Sequence, residues 1–228
     1  MNIIIFGPPG AGKGTQSDFI VKNFKLFKLS TGDLLREEIK KKTELGLKIT
    51  SIVNSGSLVS NDIINSLIER IISNKKFENQ IIFDGYPRNL SQAENLNKLL
   101  LKYNQKIDIV IKLKVSLDVI KKRITGRLTC PKCSKTFNKF FNPPPSNLVC
   151  CTGSTLKKRD DDNVEVAIKR YETYEESTEP VLGFYKKMNL VKDLNGEMNI
   201  ESIQSKISDY LTVIEGWLWK ITPYKYIF

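Results

Sequence analysis

Histidine is absent from the 228 residues of this chain. That absence removes Ser-His-Asp and Cys-His nucleophile chemistry, HExxH zinc hydrolysis and every His-ligated metal or haem. Long apolar runs are missing as well. Ile3-Ile4-Ile5-Phe6 is the longest near the amino terminus, far short of a secretory h-region or of the ~20 residues of a membrane-spanning helix. A glycine-rich loop follows at once, so residue 2 already lies in a predicted strand and leaves no space for a removable presequence. A cytoplasmic protein is expected, with the mitochondrial matrix as the alternative because basic, amphipathic addresses can overlap folded sequence. Cysteine is confined to the stretch from Cys130 to Cys151, which favours a local metal site over a disulfide framework. There is no internal repeat and no long low-complexity tract.

The residues present describe one soluble globular domain with insertions. Hydrophobic residues make up 40% and charged residues 27%, enough for a sizeable core without the charge excess of a disordered chain. Lysine and arginine number 36 against 25 acidic residues, a net +11, which biases the protein toward nucleotides, nucleic acid or anionic lipid. Short β-branched runs alternate with stretches of helical period. Strands are predicted at Asn2–Phe6, Leu26–Leu29, Gln80–Asp84, Asp108–Leu113 and Leu190–Leu194. Helices are predicted at Thr15–Asn23, Thr31–Lys41, Leu45–Asn54, Ile63–Ser73, Ser91–Tyr103, Leu117–Thr125, Val164–Met188 and Asn199–Trp217. Such alternation means an α/β fold with a parallel sheet. Thr129–Lys158, with Pro131, Pro143-Pro144-Pro145 and all the cysteines, breaks the pattern and reads as an inserted excursion from the sheet.

The loop after the first strand is Gly7-Pro8-Pro9-Gly10-Ala11-Gly12-Lys13-Gly14-Thr15. Gly7 and Gly12-Lys13 hold the spacing of a phosphate-binding P-loop, in the required order of strand, loop and helix. Backbone amides wrap the phosphate, the helix offers its positive end, and Lys13 supplies a point charge for the β/γ oxygens. Gly14 stands where Ser or Thr usually follows the lysine, and the hydroxyl arrives one residue later at Thr15.

That variant loop, together with Leu29-Ser30-Thr31-Gly32-Asp33-Leu34-Leu35-Arg36 and Phe83-Asp84-Gly85-Tyr86-Pro87-Arg88, closely resembles the nucleoside monophosphate kinases, specifically the adenylate kinase family. The resemblance continues through Arg123-Ile124-Thr125-Gly126-Arg127, Phe141-Asn142-Pro143-Pro144, Arg159-Asp160-Asp161-Asp162-Asn163 and Arg170, and so covers nearly the whole chain. The long insert looks like the long-lid form and argues against short-lid UMP/CMP-type kinases. The resemblance implies a P-loop NTPase fold whose five-stranded parallel core comprises residues 1–29, 60–126 and 164–228. It also implies a mobile AMP-binding segment at 30–59 and a lid at 127–163. By the same resemblance Gly10, Ala11, Gly12, Lys13, Gly14 and Thr15 hold the donor phosphates of ATP or GTP, with Arg123 beside the donor base. Thr31, Arg36, Val59, Gly85, Arg88 and Gln92 match acceptor-AMP positions. Arg127, Arg159 and Arg170, with Arg88 and Lys13, match the cations around the transferring phosphoryl group. ADP as product and a monomeric protein without nucleic-acid or membrane-spanning partners belong to the same expectation.

The chemistry suits a chain without histidine. Phosphoryl transfer through a loose transition state needs in-line positioning and cations on the equatorial oxygens, which Lys and Arg supply. A nucleotide phosphate with a second pKa of ≈ 6 already presents an ionised oxygen at pH 7, so no general base is required. Asp84 at a strand end and Asp33 at a helix start are candidate outer-shell partners for hydrated Mg²⁺, each alternatively a cap or turn carboxylate. A glutamine amide such as Gln92 can pair with a donor and an acceptor on adenine; the alternative is an exposed first-turn helix residue.

Cys130-x2-Cys133-x16-Cys150 is similar to three positions of a zinc-binding lid, whereas the fourth expected position is Gly153. Either Cys151 replaces the usual ligand in a structural zinc site, or the site is metal-free. Trp217, Trp219, Tyr224, Tyr226 and Phe228 crowd the carboxyl terminus, either packing on the core or meeting a membrane surface or partner. Two readings from other classes stand beside the kinase: a P-loop regulatory NTPase, and a nucleic-acid-binding zinc module.

Overall fold

The structure is a computed structural model that describes residues 1–221 except Gly56, Ser134, Thr152 and Asp160, with side chains described to residue 216. Its centre is a five-stranded parallel sheet in the order β2-β3-β1-β4-β7, formed by β1 (Ile3–Phe6), β2 (Phe27–Ser30), β3 (Ile81–Asp84), β4 (Ile109–Lys114) and β7 (Val191–Asn195). In β1 every side chain is buried, and the two-residue period sends Ile4 and Phe6 to one face, Ile3 and Ile5 to the other. A strand buried on both faces needs helices on both. On the first face Ile64, Ile68 and Ile72 of α4 (Asn61–Ile72), Ala93 and Leu96 of α5 (Leu90–Lys102), and Leu182 and Tyr185 of α8 (Val181–Lys186) close the core. On the second face Ile20 of α1 (Lys13–Phe24) and Ile203, Ile207 and Leu211 of α9 (Ile200–Ile221) do so.

β1 lies between β3 and β4, so the chain leaves to one side through β2 and β3 and to the other through β4. The carboxyl ends beside β1 are therefore the topological switch point where α/β sheets bind ligands. Two excursions rise there. The first is a helical pair, α2 (Thr31–Lys40) and α3 (Glu44–Asn54), capped by Ser30 and Thr43, whose side-chain oxygens accept from the amides of Asp33 and Gly46. The second follows α6 (Leu117–Thr125) and pairs β5 (Arg127–Thr129) antiparallel with β6 (Thr136–Asn138) over a small core of Leu128, Cys130, Phe137 and Leu156. At its base the chain packs closely at Gly126, where a Cβ would lie 2.7 Å from the Phe140 ring and 2.9 Å from Asn138 Oδ1.

The five central strands match the sequence expectation to within one or two residues. The expected helix Val164–Met188 is instead three pieces: α7 (Val164–Thr173), a π-helical turn at Tyr174–Thr178, and α8. Pro180 has no N–H to continue an α-ladder, and the amide of Glu179 bonds back five residues to Tyr174 O at 2.8 Å. The three-residue strands β5 and β6 are too short to leave a period in the sequence. The aromatic tail lies outside the described residues: α9 carries the backbone past Trp217 and Trp219, and Tyr224, Tyr226 and Phe228 follow its end.

Candidate active site

A cleft of about 700 Å³ opens at the carboxyl edge of the sheet, between the two excursions. Its floor is the loop after β1. Gly10 (φ 82°) and Gly12 (φ 95°) hold left-handed backbone that L side chains rarely adopt, and a Cβ on Gly10 would press within 3.0 Å of Ile124. Helix α1 starts at Lys13 with no side-chain cap among the described residues. Its first amides and positive dipole end are therefore available to an anion. Lys13 Nζ folds back to donate to Gly7 O at 2.6 Å and Pro8 O at 3.0 Å. Part of its side chain meets solvent, yet desolvation by the protein packed around Nζ pushes its pKa down to about 8, against the pull of Asp84.

Asp84 ends β3 directly opposite Ile5 and Ser30. Its carboxyl is buried and makes no ion pair among the described residues; burial raises its pKa while Lys13 and Lys28 oppose the shift. Asp33 is engaged differently, in an ion pair with Arg36. Burial works to raise Asp33, but the Arg36 charge and hydrogen bond outweigh it and leave the carboxyl below its ordinary range.

The opposite wall starts at Gly85 (φ 80°), whose carbonyl accepts from Thr31 Oγ1 at 2.8 Å and from Arg88 Nε at 2.8 Å. A Cβ there would sit 3.0 Å from Thr31 Oγ1 and 3.1 Å from Arg88 Nη2, so only glycine lets both side chains converge. Gln92 is buried in the first turn of α5, not exposed on it. Its Oε1 accepts from Arg88 N at 2.7 Å and its Nε2 donates to Asn61 Oδ1 at 2.9 Å. Each amide atom has spare capacity, one further N–H and one further lone pair. Val59 is buried beside them on the cleft wall.

Four more arginines face this cavity. Arg123 donates to Ala11 O at 3.0 Å and Gly196 O at 2.7 Å while its guanidinium lies 5.1 Å from the Phe141 ring centroid. Arg127 is gripped by both oxygens of Asp162, and Arg170 pairs with Asp161 at 2.6 Å. Arg159 has no ion pair among the described residues; burial, then Arg127 and Arg36, press its pKa down to about 10. Burial and the neighbouring Arg170 do the same to Arg88. Among the described residues nine lysines and arginines thus line the cleft against three carboxylates, Asp18, Asp33 and Asp84, an excess that suits a polyanionic ligand.

A sequence model of the adenylate kinase family matches residues 5–190 of this chain. The adenylate kinase of Pelagibacter ubique is 51% identical over 213 residues, covering 93% of this chain and 100% of its own length. That of Pelobacter propionicus is 41% identical over 217 residues (95% and 97%), and that of Archaeoglobus fulgidus 38% over 218 residues (95% and 100%). The chain belongs to the adenylate kinase family. It is accordingly a nucleoside monophosphate kinase, and the regulatory-switch and nucleic-acid readings give way to the enzyme. No described helix is long and apolar enough to cross a membrane.

As in the sequence expectation for an adenylate kinase, Lys13, Arg36, Arg88, Arg123, Arg127, Arg159 and Arg170 meet in one place, although the chain separates them by up to 157 residues. The four cysteines of the lid also meet. Cys130 and Cys151 sulfurs are 3.7 Å apart, Cys133 and Cys150 3.7 Å, and all four Sγ atoms lie within 4.8 Å of one another. Those separations are far beyond a disulfide. Sequence reasoning missed Asn61, Gly196 and Thr178, which touch Gln92, Arg123 and Arg88 respectively. Asn61 and Gly196 belong to no motif. For Thr178 the one available signal was its place just before the helix-breaking Pro180.

Proposed function

We propose that this enzyme transfers the terminal phosphoryl group of Mg·ATP to AMP, giving two ADP, and so balances adenine nucleotides. The observation that carries the reading is the pairing of two anion-binding walls across one cleft: the P-loop with Lys13 on one side, Gly85, Arg88 and Gln92 on the other. The P-loop amides and Lys13 hold the donor β/γ phosphates. Arg123 lies beside the donor base, and Thr31, Arg36, Val59, Gly85, Arg88 and Gln92 hold AMP. Arg88, Arg127, Arg159 and Arg170 spread over the equatorial oxygens of the group in flight. The buried Asp84 carboxylate, without an ion pair among the described residues, would hold water of a hydrated Mg²⁺, which would supply neutralisation of the donor phosphate charge. Asp33, already committed to Arg36, orients that arginine. We assign the core to 1–29, 60–126 and 164–228, the AMP segment to 30–59 and the lid to 127–163. Closure of the lid excludes water that would otherwise hydrolyse the donor. A cytoplasmic location fits four cysteines without a disulfide and relatives from bacteria and archaea, and we take the protein to act as a monomer.

ADP formation in a coupled assay with Mg²⁺ and AMP, with ATP and GTP as parallel donors, tests this. ATP is expected to be the faster donor. Activity with GTP alone would replace it by a GTP:AMP phosphotransferase, and no activity with either would defeat the reading.

Lys13 adds a pH signature. Its folded pKa of about 8 lies below its ordinary 10.5, so between those values the unfolded chain binds the extra proton and stability from this group rises with pH. A bound triphosphate restores the proton to Lys13. Apparent ATP affinity is therefore expected to fall above pH 8, approaching tenfold per pH unit, where the phosphate itself no longer titrates. Calorimetric Kd values at pH 7, 8 and 9 that stay flat would rule this out.

The cysteine quartet fits zinc. Four sulfurs at 2.3 Å from a tetrahedral ion would be separated by about 3.8 Å, against 3.7 Å and 3.8 Å for the closest pairs. We propose a structural zinc that stiffens the lid, with Cys151 in the place Gly153 cannot fill. Metal analysis is expected to give one zinc per chain, and Cys151→Ser to lose it with a lower unfolding midpoint. Zinc content unchanged in Cys151→Ser would exclude Cys151 as a ligand.

A further inference from the structure

Arg88 is held at three separate atoms. Its backbone N–H donates to Gln92 Oε1 at 2.7 Å, its Nε donates to Gly85 O at 2.8 Å, and its carbonyl accepts from Thr178 Oγ1 at 2.9 Å. The first two partners lie within four residues of Arg88 and belong to its own turn. Thr178 comes from 90 residues away.

That hydroxyl is itself firmly placed. Thr178 is buried and closes the π-helical turn Tyr174–Thr178, a local winding that adds a residue to a helix and often marks functional sites. The next residue, Glu179, fastens the turn to the central sheet. One carboxylate oxygen pairs with Lys112 on β4, directly opposite Phe6 of β1, and the other accepts from Tyr174 OH at 2.8 Å. Arg170, on the helix that runs into the turn, faces the same cleft.

We propose that Thr178 is a positioning residue for phosphoryl transfer: its hydroxyl fixes the Arg88 backbone relative to the central sheet, so that the guanidinium arrives pre-aimed with Nη1 and Nη2 left for the reacting group. The proposal rests on the reading that Arg88 meets the transferring phosphoryl group. Without the hydroxyl the Arg88 carbonyl loses its partner and the peptide is free to tilt. A displacement of about 1 Å at a group that acts by position is enough to cost on the order of 10² in rate. The loss falls on kcat, because Gly85, Gln92, Thr31 and Arg36 still hold the acceptor.

The test uses the full chain with Mg·ATP and AMP, and compares Thr178→Val, Thr178→Ser and Arg88→Ala with the double variant Arg88→Ala/Thr178→Val, well below each unfolding midpoint. Thr178→Val is expected to lower kcat ten- to a hundredfold with both KM values within threefold of wild type. Thr178→Ser, which keeps the hydroxyl, is expected to stay within threefold throughout. In the Arg88→Ala background Thr178→Val is expected to change kcat by less than twofold, since no guanidinium remains to be aimed. A merely structural threonine would multiply its loss onto that of Arg88→Ala, and that result overturns the proposal. Undiminished kcat in Thr178→Val beside a crippled Arg88→Ala overturns the proposal alone. A near-wild-type Arg88→Ala overturns it together with the reading on which it rests.

Discussion

Replacing Arg88 by alanine is expected to lower kcat by on the order of 10³ and to leave the fold intact, as cation removal does in other phosphoryl transfers. Arg127 and Arg170 each face a buried aspartate, and Arg36 an aspartate on its own helix. Arg88 makes no ion pair among the described residues, and burial and Arg170 outweigh the opposing pull of Asp84 and depress its pKa to about 10. An unbalanced guanidinium costs the free protein desolvation energy that an incoming anionic group offsets, most strongly where negative charge accumulates. The arginine is also immobilised before substrate arrives, so little reorganisation remains for the reaction step. Steady-state rates at saturating ATP and AMP, with thermal unfolding as the control, measure the effect. A variant retaining a third or more of wild-type turnover would take Arg88 out of the reacting centre.

The largest stability effect is expected from Gly46→Ala in α3. A Cβ at this position would lie 2.2 Å from Glu38 O, 2.6 Å from Glu38 C and 2.9 Å from Ile39 N. All three atoms are backbone of the last turns of α2, so no rotamer change relieves the clash and the two helices must part. Overpacking of this kind costs about 3 kcal/mol, which for a chain of this size lowers the unfolding midpoint by roughly 6–12 °C. Parting α2 from α3 also displaces Thr31 and Arg36 on α2, so KM for AMP is expected to rise more than KM for ATP. Melting within 1 °C of wild type, with AMP kinetics unaltered, would contradict this packing argument.

The sheet was legible because its strands are short β-branched runs with unambiguous punctuation, and the P-loop because glycine spacing carries its own chemistry. The cations at Lys13, Arg88, Arg127, Arg159 and Arg170 were legible only as motif positions. Periodicity alone could not bring residues from five elements to one cleft. Gln92 shows the limit: its helical position suggests exposure, and only the three-dimensional neighbourhood of Asn61 and Arg88 buries it. The break in the expected Val164–Met188 helix turns on one missing N–H at Pro180 and on a five-residue hydrogen bond that no side-chain pattern announces. Cys151 was visible as a cysteine, but its sulfur's approach to Cys130 depends on how the chain reverses between Val149 and Thr155.

Arg123 is fixed at both guanidinium ends by main-chain oxygens, Ala11 O and Gly196 O, and lays its flat surface toward Phe141. At 5.1 Å the two are in contact with each other, so a purine reaches this arginine only by stacking on a face that Phe141 gives up. Stacking is nearly indifferent to which purine is stacked. On the proposed reading the face of Arg123 therefore adds little to the choice between ATP and GTP, and the preference expected for ATP rests on other groups around the donor, whereas the acceptor end carries in Gln92 an amide able to pair with the ring it holds.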